Sequence, residues 1–151
     1  MRLVRGATGF WGGRDEPLAP TDRASFRSAC FEAARGIGAR VEELSFAGVS
    51  SFHAVTIAGR GASLVVLCHD HLPVVAFTDT PPVPGRPVAR FVDPPAWAGS
   101  FGTVGFRVLH AGDLSAPMTE ADLSELAKAE LAQVRHWRPE AVGDLLFNWW
   151  D

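Results

Sequence analysis

The chain has 151 residues, of which 47% are hydrophobic and 21% are charged, and its formal net charge is −3. This length and composition predict a single globular domain and exclude a disordered chain. The longest apolar runs are only as long as a strand, so no membrane-spanning segment is expected. A mildly acidic protein is also a poor candidate for binding the phosphate backbone of a nucleic acid.

The two cysteines, Cys30 and Cys68, do not make a disulfide framework, and we expect both to be reduced and buried. No basic segment followed by an apolar one opens the chain, as it would in a secretory signal. Together these features predict a cytoplasmic protein.

The N-terminal part predicts a short strand, a glycine-rich turn and a helix. The strand covers residues 3–4, and a cluster of glycines over residues 6–13 ends it. Thr21 or Asp22 is placed to cap the helix, and Gly38 is placed to end it, with a further glycine at position 36. The apolar stripe of this helix consists of Phe26, Cys30, Ala33 and Ile37.

From Glu43 to Thr78 the pattern is typical of strands. Apolar and β-branched runs cover residues 52–58, 62–68 and 74–78, with short turns between them. Because short turns join antiparallel neighbours, these runs predict a β-meander.

The remaining chain predicts two more strands and then helices. Residues 88–92 form an edge strand within the proline-rich stretch 80–100, and residues 103–111 form a further strand. The segment from Thr119 to Asp122 resembles a capping box, which opens a helix that ends near Trp137. A proline breaks this helix, and a last helical turn or two follows.

These elements predict an α+β fold, with a mostly antiparallel β-sheet meander and with an N-terminal helix and C-terminal helices packed on one face. No internal repeat and no linker divides the chain. Residues 1–151 are therefore expected to form one domain.

The stretch from Leu3 to Gly13 resembles the glycine-rich, phosphate-binding turn of extended short-chain dehydrogenases, where a strand meets a helix. The context for nucleotide binding is missing, because Pro17 and Pro20 fall where the interior of that helix would lie. The catalytic tyrosine of that family is also missing, since the chain contains no Tyr. We therefore expect a structural loop here and no cofactor.

Residues 68–71, Cys-His-Asp-His, are four metal-capable side chains in a row. Consecutive strand residues point to opposite faces, so only alternate ones, such as His69 and His71, could share a side. A zinc site would need two further ligands, such as His53 or His110, and the sequence offers no second ligand pair. We expect no metal site, although the sequence leaves binding at His69 and His71 open.

No set of residues makes a convincing catalytic site. Cys30 lies on an apolar helix stripe, which is typical of an inert thiol, and no Gly-x-Ser-x-Gly turn is present. His53, His110 and His136 could each meet an acidic residue in the fold, but the sequence does not bring them together. We therefore expect no enzymatic activity.

Negative charge and tryptophan both concentrate near the C-terminus. Residues 113–151 carry eight acidic residues against three basic ones, and three of the five tryptophans fall in the last sixteen residues. An acidic surface with aromatic anchors suits a basic protein partner, and an ordinary solvated helix face is the alternative. The candidate partner-binding residues are Asp122, Glu125, Glu130, Asp144, Trp149 and Trp150.

Two segments resemble small bacterial immunity proteins of polymorphic toxin systems. One is the ending from Trp137 to Asp151, and the other is the hairpin made of residues 63–67 and 72–77. The resemblance implies a cytoplasmic α+β protein without enzymatic activity or cofactor. It also implies an antitoxin function, in which the protein binds and occludes a cognate toxin of the nuclease or deaminase type.

Two other functions are compatible with the sequence. A small-ligand-binding protein or hydrolase would use a pocket near residues 80–100, lined by Trp97, Phe101 and histidines. A homo-oligomer would bury the C-terminal aromatic residues across a symmetric interface. A monomer and a homodimer are therefore both open.

Overall fold

The computed structural model describes residues 1–150, which form a mixed fold of helices and mostly antiparallel strands. The helices are α1 (Arg23–Ile37), α2 (Gly99–Thr103), α3 (Ala111–Ser115), α4 (Lys128–Trp137) and α5 (Val142–Leu146). The strands are β1 (Arg2–Val4), β2 (Arg40–Leu44), β3 (Phe52–Ala58), β4 (Ser63–His69), β5 (Val74–Thr78), β6 (Phe91–Val92), β7 (Arg107–Val108) and β8 (Asp122–Glu125). The α+β class predicted from the sequence is confirmed.

Five strands form an antiparallel sheet in the order β2–β3–β4–β5–β6, and β7 joins it by pairing parallel to β5. Val55 of β3 lies opposite Val66 of β4, and Leu67 of β4 lies opposite Ala76 of β5. Strands β1 and β8 form a separate parallel pair. The meander over β3, β4 and β5 lies where the apolar runs predict it.

Side-chain alternation along the central strands divides the hydrophobic core into two clusters, one on each face of the sheet. On one face, Phe52 and Ala54 of β3 pack in a cluster with residues of α3 and α5. On the other face, Val55 and Ile57 of the same strand pack with α1 and α2. The helices therefore cover both faces, and the expectation that they pack on one face is wrong. Strands β3 to β5 carry apolar side chains on both faces of the sheet, so both faces must be covered by other elements.

Helix α1 begins and ends where its capping residues predict. The carboxylate of Asp22 accepts hydrogen bonds from the N–H groups of Ala24 and Ser25. Gly38 follows the last turn in the left-handed conformation, which glycine adopts without the steric cost of a side chain. The buried residues of α1 are Phe26, Ala29, Cys30, Ala33 and Ala34.

The segment from Thr119 to Glu125 is not α-helical, in contrast to the prediction from its capping pattern. It lies in a short 3-10 turn, Met118–Glu120, and in β8, and helix α4 begins only at Lys128. The N–H group of Asp122 donates to the carbonyl oxygen of Met1 at 2.9 Å. Pairing with the opposite end of the chain thus overrides the local helical pattern.

Two other predicted strands are shorter than expected. Only Phe91–Val92 of the range 88–92, and only Arg107–Val108 of the range 103–111, pair with the sheet. A 3-10 turn and α2 stand between them, and Phe101 of α2 is buried in the cluster that α1 covers.

Helix length also bears on membrane insertion. The longest helix, α1, has 15 residues. Among residues 1–150, no helix combines the length and the apolar character that crossing a bilayer requires.

Candidate partner-binding surface

The segment that follows α5 is docked against the N-terminal glycine-rich turn. Phe147 is fully buried, and its ring lies 5.9 Å from that of Phe52 between ring centroids. The side-chain amide of Asn148 donates to the carbonyl oxygen of Thr8 at 3.0 Å. Its backbone N–H donates to the hydroxyl of Ser51 at 3.0 Å, and that hydroxyl donates to the carbonyl oxygen of Leu146 at 2.7 Å. The C-terminal segment is therefore fixed by contacts from two distant loops.

This docking gives the adjacent tryptophans Trp149 and Trp150 different surroundings. Trp149 packs edge-to-face against Phe46 and Phe52, each with a centroid separation of 5.3 Å. The ring of Trp150 lies parallel to that of Trp137, with a centroid separation of 6.1 Å and an interplanar angle of 5°. Both indoles are half-buried against the core, Trp149 beside two phenylalanines and Trp150 stacked on a residue of α4.

Two clefts open here and meet at Trp150. The larger cleft, of about 510 Å³, is lined by Trp137, Trp149, Trp150, Phe147, Asn148, Gly85, Arg86, Pro87, Arg138, Pro139, Glu140 and Asp144. The smaller cleft, of about 380 Å³, is lined by Thr8, Gly9, Phe10, Trp11, Val49, Ser50, Ser51, Asn148 and Trp150. Asn148 and Trp150 line both clefts, so the two clefts are adjacent.

We call Phe10, Trp11, Val49, Trp137 and Trp150 the tryptophan surface. Trp11 is 39% exposed, Val49 is 63% exposed and Trp137 is 40% exposed, although each is apolar. Large apolar side chains grouped at a cleft are typical of protein contact sites, in which tryptophan is enriched among the residues that contribute most binding energy. Nothing in the sequence pattern links Phe10, Trp11 and Val49 to the C-terminal segment, because the fold alone brings them together.

The charges at the larger cleft are mixed. Arg86, Arg138 and Glu140 are exposed in its walls. Asp144 also lines it, but its carboxylate accepts a hydrogen bond from the N–H of Ala141 at 3.1 Å and so caps α5. The cleft therefore presents aromatic surface with charges of both signs around it, not a purely acidic face.

Two of the predicted acidic residues lie elsewhere, on β8. The guanidinium of Arg2 lies 4.0 Å from the carboxylate of Asp122 and 3.3 Å from that of Glu125, between the nearest nitrogen and oxygen atoms. Hydrogen bonding by Ser124, followed by the charge of Arg2, lowers the pKa of Asp122 below its ordinary value. Both acids are exposed, but neither lines a cleft of the tryptophan surface.

Glu130 is not a surface residue, and its assignment as a partner contact is wrong. It is fully buried. Its Oε1 accepts hydrogen bonds from the N–H of Gly6 at 2.9 Å, the N–H of Thr8 at 3.2 Å and the Thr8 hydroxyl at 2.8 Å. Its Oε2 accepts from the N–H of Ala127 at 3.1 Å. The glycine-rich turn thus surrounds a carboxylate of the chain itself.

The Cys-His-Asp-His segment is structural. His69 is fully buried, and its Nε2 lies 2.8 Å from the carbonyl oxygen of Ala7. Its Nδ1 accepts from the N–H groups of His71 and Leu72, so Nε2 carries the proton. Burial lowers the pKa of His69 to about 4. Among residues 1–150, no three His, Cys, Asp or Glu side chains come together in a way that could hold a metal ion.

The two thiols are buried on the α1 side of the sheet. Burial, with a smaller contribution from Glu43, raises the pKa of Cys30 to about 12. Burial likewise raises the pKa of Cys68. Neither cysteine is a thiolate at neutral pH, so neither has the ionisation that a nucleophile requires.

The histidine–carboxylate contact at His53 is the nearest approach to catalytic geometry. Its Nδ1 lies 3.1 Å from Oδ1 of Asp70, which Arg23 also approaches at 3.8 Å. The Nε2 of His53 is buried without a hydrogen-bond partner, and Phe26 lies edge-to-face against the ring. The other two candidate histidines do not take part in this contact. His110 lies near Asp93, and the ring of His136 packs against Trp137.

The pocket expected near residues 80–100 is not lined by the predicted set of Trp97, Phe101 and histidines. Trp97 lines a cavity of about 510 Å³ with Ile37, Arg60 and Leu64, and no histidine contributes to it. Phe101 is fully buried in the core instead. The part of the 80–100 stretch that does line a candidate site is residues 85–87, in the larger cleft of the tryptophan surface.

No protein-family model matches the chain, and neither a characterised protein nor a solved structure is significantly similar to it.

Proposed function

We propose that this protein is a non-enzymatic immunity protein, which binds a cognate bacterial toxin and occludes it through the tryptophan surface. The toxin would be of the nuclease or deaminase type. The observation that supports this proposal most strongly is the grouping of Trp11, Trp137 and Trp150 around two adjacent clefts. The resemblance of the C-terminal segment to immunity proteins points in the same direction.

The chemistry of the surface favours binding over catalysis. Its side chains are aromatic and aliphatic, and the charged groups of the larger cleft are surface arginines, one exposed glutamate and an aspartate that caps a helix. Rigid aromatic anchors beside a cleft can insert into, or receive, apolar residues of a partner, while the polar rim excludes water around them. Occlusion of this kind needs no cofactor.

A basic toxin surface would also be attracted by the exposed acids of β8. Asp122 and Glu125 are partly neutralised by Arg2, so we assign them a role in the rate of association and not in the main contact. Asp144 contributes by holding the start of α5, which positions Trp149 and Trp150.

The experiment that tests the proposal is capture of a partner from the source bacterium with matched variants. The wild type and Phe31→Ala should retain the same stoichiometric protein, because Phe31 is an exposed aromatic residue on α1, on the opposite face of the sheet. The double variant Trp137→Ala, Trp150→Ala should lose that protein. Equal retention by the wild type and both variants would assign the contact to another surface.

A small-molecule binder is the second candidate, because the larger cleft is of suitable size. Its volume of about 510 Å³ lies within the range of about 300–1,000 Å³ that is common for ligand pockets. A planar ligand could stack on Trp150 while Arg86 or Arg138 binds an acidic group. Native mass spectrometry of the protein purified from its host would show a bound small molecule and no partner protein in this case.

A further inference from the structure

Strand β2 is an open edge of the main sheet. Its five residues, Arg40–Leu44, pair with β3 on one side. No backbone hydrogen bond connects its other side to any residue among 1–150. An open strand edge offers a row of free N–H and C=O groups to another strand, so proteins usually cover such an edge or restrict its pairing.

The side chains of β2 divide between the two faces of the sheet. Val41 and Glu43 lie opposite Ile57 and Val55, so they point towards the face that α1 covers. Arg40 and Glu42 point to the other face, and both are exposed. Within the described residues, neither Arg40 nor Glu42 has an ion-pair partner.

An exposed aromatic residue lies beside this edge. Arg27 of α1 contacts Glu43 of β2, with 3.0 Å between nitrogen and oxygen, which places that side of the helix above the strand. Phe31 follows Arg27 by one helical turn on the same side, and it is 51% exposed. Helix α1 and β2 run in opposite directions, so this turn lies over the part of the strand that holds Val41, which is half-buried.

We propose that two copies of the chain join through antiparallel pairing of β2 with β2, with Val41 on the two-fold axis. In this register, Arg40 of each copy lies opposite Glu42 of the other, which makes two cross-strand ion pairs on one face. On the other face, the two Val41 side chains meet, and Phe31 of each copy flanks them. The result is one continuous sheet through both copies, with a self-complementary interface.

The charges of β2 disfavour three of the four other registers centred on one of its residues. Residues directly opposite each other in an antiparallel pair project to the same face of the sheet. In a symmetric β2–β2 pair, the two-fold axis must therefore pass through one residue position, which then lies opposite its own copy. Placing Arg40, Glu42 or Glu43 on the axis would set like charges directly opposite each other, which is destabilising. Leu44 on the axis would avoid like charges but would leave Arg40 and Glu42 opposite uncharged residues. Val41 is therefore the position in β2 that pairs opposite charges across the axis.

Sedimentation equilibrium of the full chain, with charge-reversal variants, tests the proposal. The wild type should dimerise, and Arg40→Glu and Glu42→Arg should each weaken the dimer about tenfold or more, because two ion pairs become repulsive. The double variant Arg40→Glu, Glu42→Arg should restore the wild-type affinity. An equimolar mixture of the two single variants should form a heterodimer, which would also show that both variants are folded.

Three results would overturn the proposal. They are a wild type that stays monomeric up to millimolar concentration, a dimer whose affinity Arg40→Glu does not change, and a double variant that does not recover. The variant Trp150→Ala should leave the dimer intact, and its dissociation by this change would place the interface at the C-terminal aromatic residues instead.

Discussion

Glu130 accepts four hydrogen bonds, from the N–H groups of Gly6, Thr8 and Ala127 and from the Thr8 hydroxyl. A buried carboxylate is costly unless its oxygens are satisfied, and here backbone donors from a distant turn satisfy them. Its position in the acidic C-terminal part of the sequence indicates a surface residue, and three of its four hydrogen bonds come from residues more than 120 positions away. No local pattern could show this contact.

The variant Glu130→Gln should lower the free energy of unfolding by about 2–3 kcal/mol, because its amide would place N–H groups against donors that need an acceptor. The exposed change Glu125→Gln is the matched control and should alter stability by less than about 0.5 kcal/mol. Urea denaturation of both variants measures the difference. Equal stability of Glu130→Gln and the wild type would contradict the role of this carboxylate.

The pKa of His69 makes the stability of the folded protein depend on pH. Its pKa is lowered from 6.5 to about 4 in the folded protein, chiefly by burial. The unfolded chain therefore binds a proton between these values that the folded protein does not bind. The contribution to stability is fully present above pH 6.5 and is lost as the pH falls towards 4.

From this shift we expect the free energy of unfolding to fall by about 2 kcal/mol between pH 7 and pH 5 through His69 alone. The variant His69→Gln should be less stable at pH 7 but should show a smaller loss on acidification. His110→Gln, at an exposed histidine, should keep the wild-type slope. An unchanged slope in His69→Gln would show that another group controls the acid response.

Among the elements, those defined by local sequence were predictable and those defined by long-range pairing were not. Helix α1 has its own caps, and β3 and β5 have apolar runs with clear turns, so their bounds follow from the sequence. Strand β8 forms because β1 lies beside it, which a local pattern does not contain. The placement of helices on both faces likewise depends on how the whole sheet is covered.

The packing of α5 gives a prediction at the level of an element. A Cβ atom at Gly143 would lie 2.7 Å from a ring carbon of Phe91 and 3.0 Å from the carbonyl oxygen of Leu114. Gly143→Ala should therefore lower the free energy of unfolding by about 1–3 kcal/mol, through steric overlap at the start of the helix.

Gly112 in α3 is the matched control, because a Cβ atom there meets nothing within 4 Å. Gly112→Ala should raise the free energy of unfolding by about 0.5–1 kcal/mol, since alanine favours the helix. Thermal unfolding monitored by circular dichroism measures both changes. A Gly143→Ala variant as stable as Gly112→Ala would show that α5 is not packed tightly against α3.

At the scale of the whole molecule, the tryptophan surface exists because both ends of the chain meet. The concentration of tryptophan near the C-terminus indicates Trp137 and Trp150. It does not indicate Phe10, Trp11 and Val49, because contacts such as Asn148 to Thr8 join segments 140 residues apart. Composition therefore identifies two of the five residues of this surface, and the topology of the fold identifies the other three.

Under the proposed function, the tryptophan surface recognises and neutralises a toxin. The most direct measurement is the growth of cells that express the captured partner together with variants of this protein. Wild type and Asp122→Lys, Glu125→Lys should both restore growth, whereas Trp137→Ala, Trp150→Ala should not. Restored growth with the tryptophan variant would show that another surface neutralises the toxin, and a partner that does not impair growth would show that the protein is not an immunity protein.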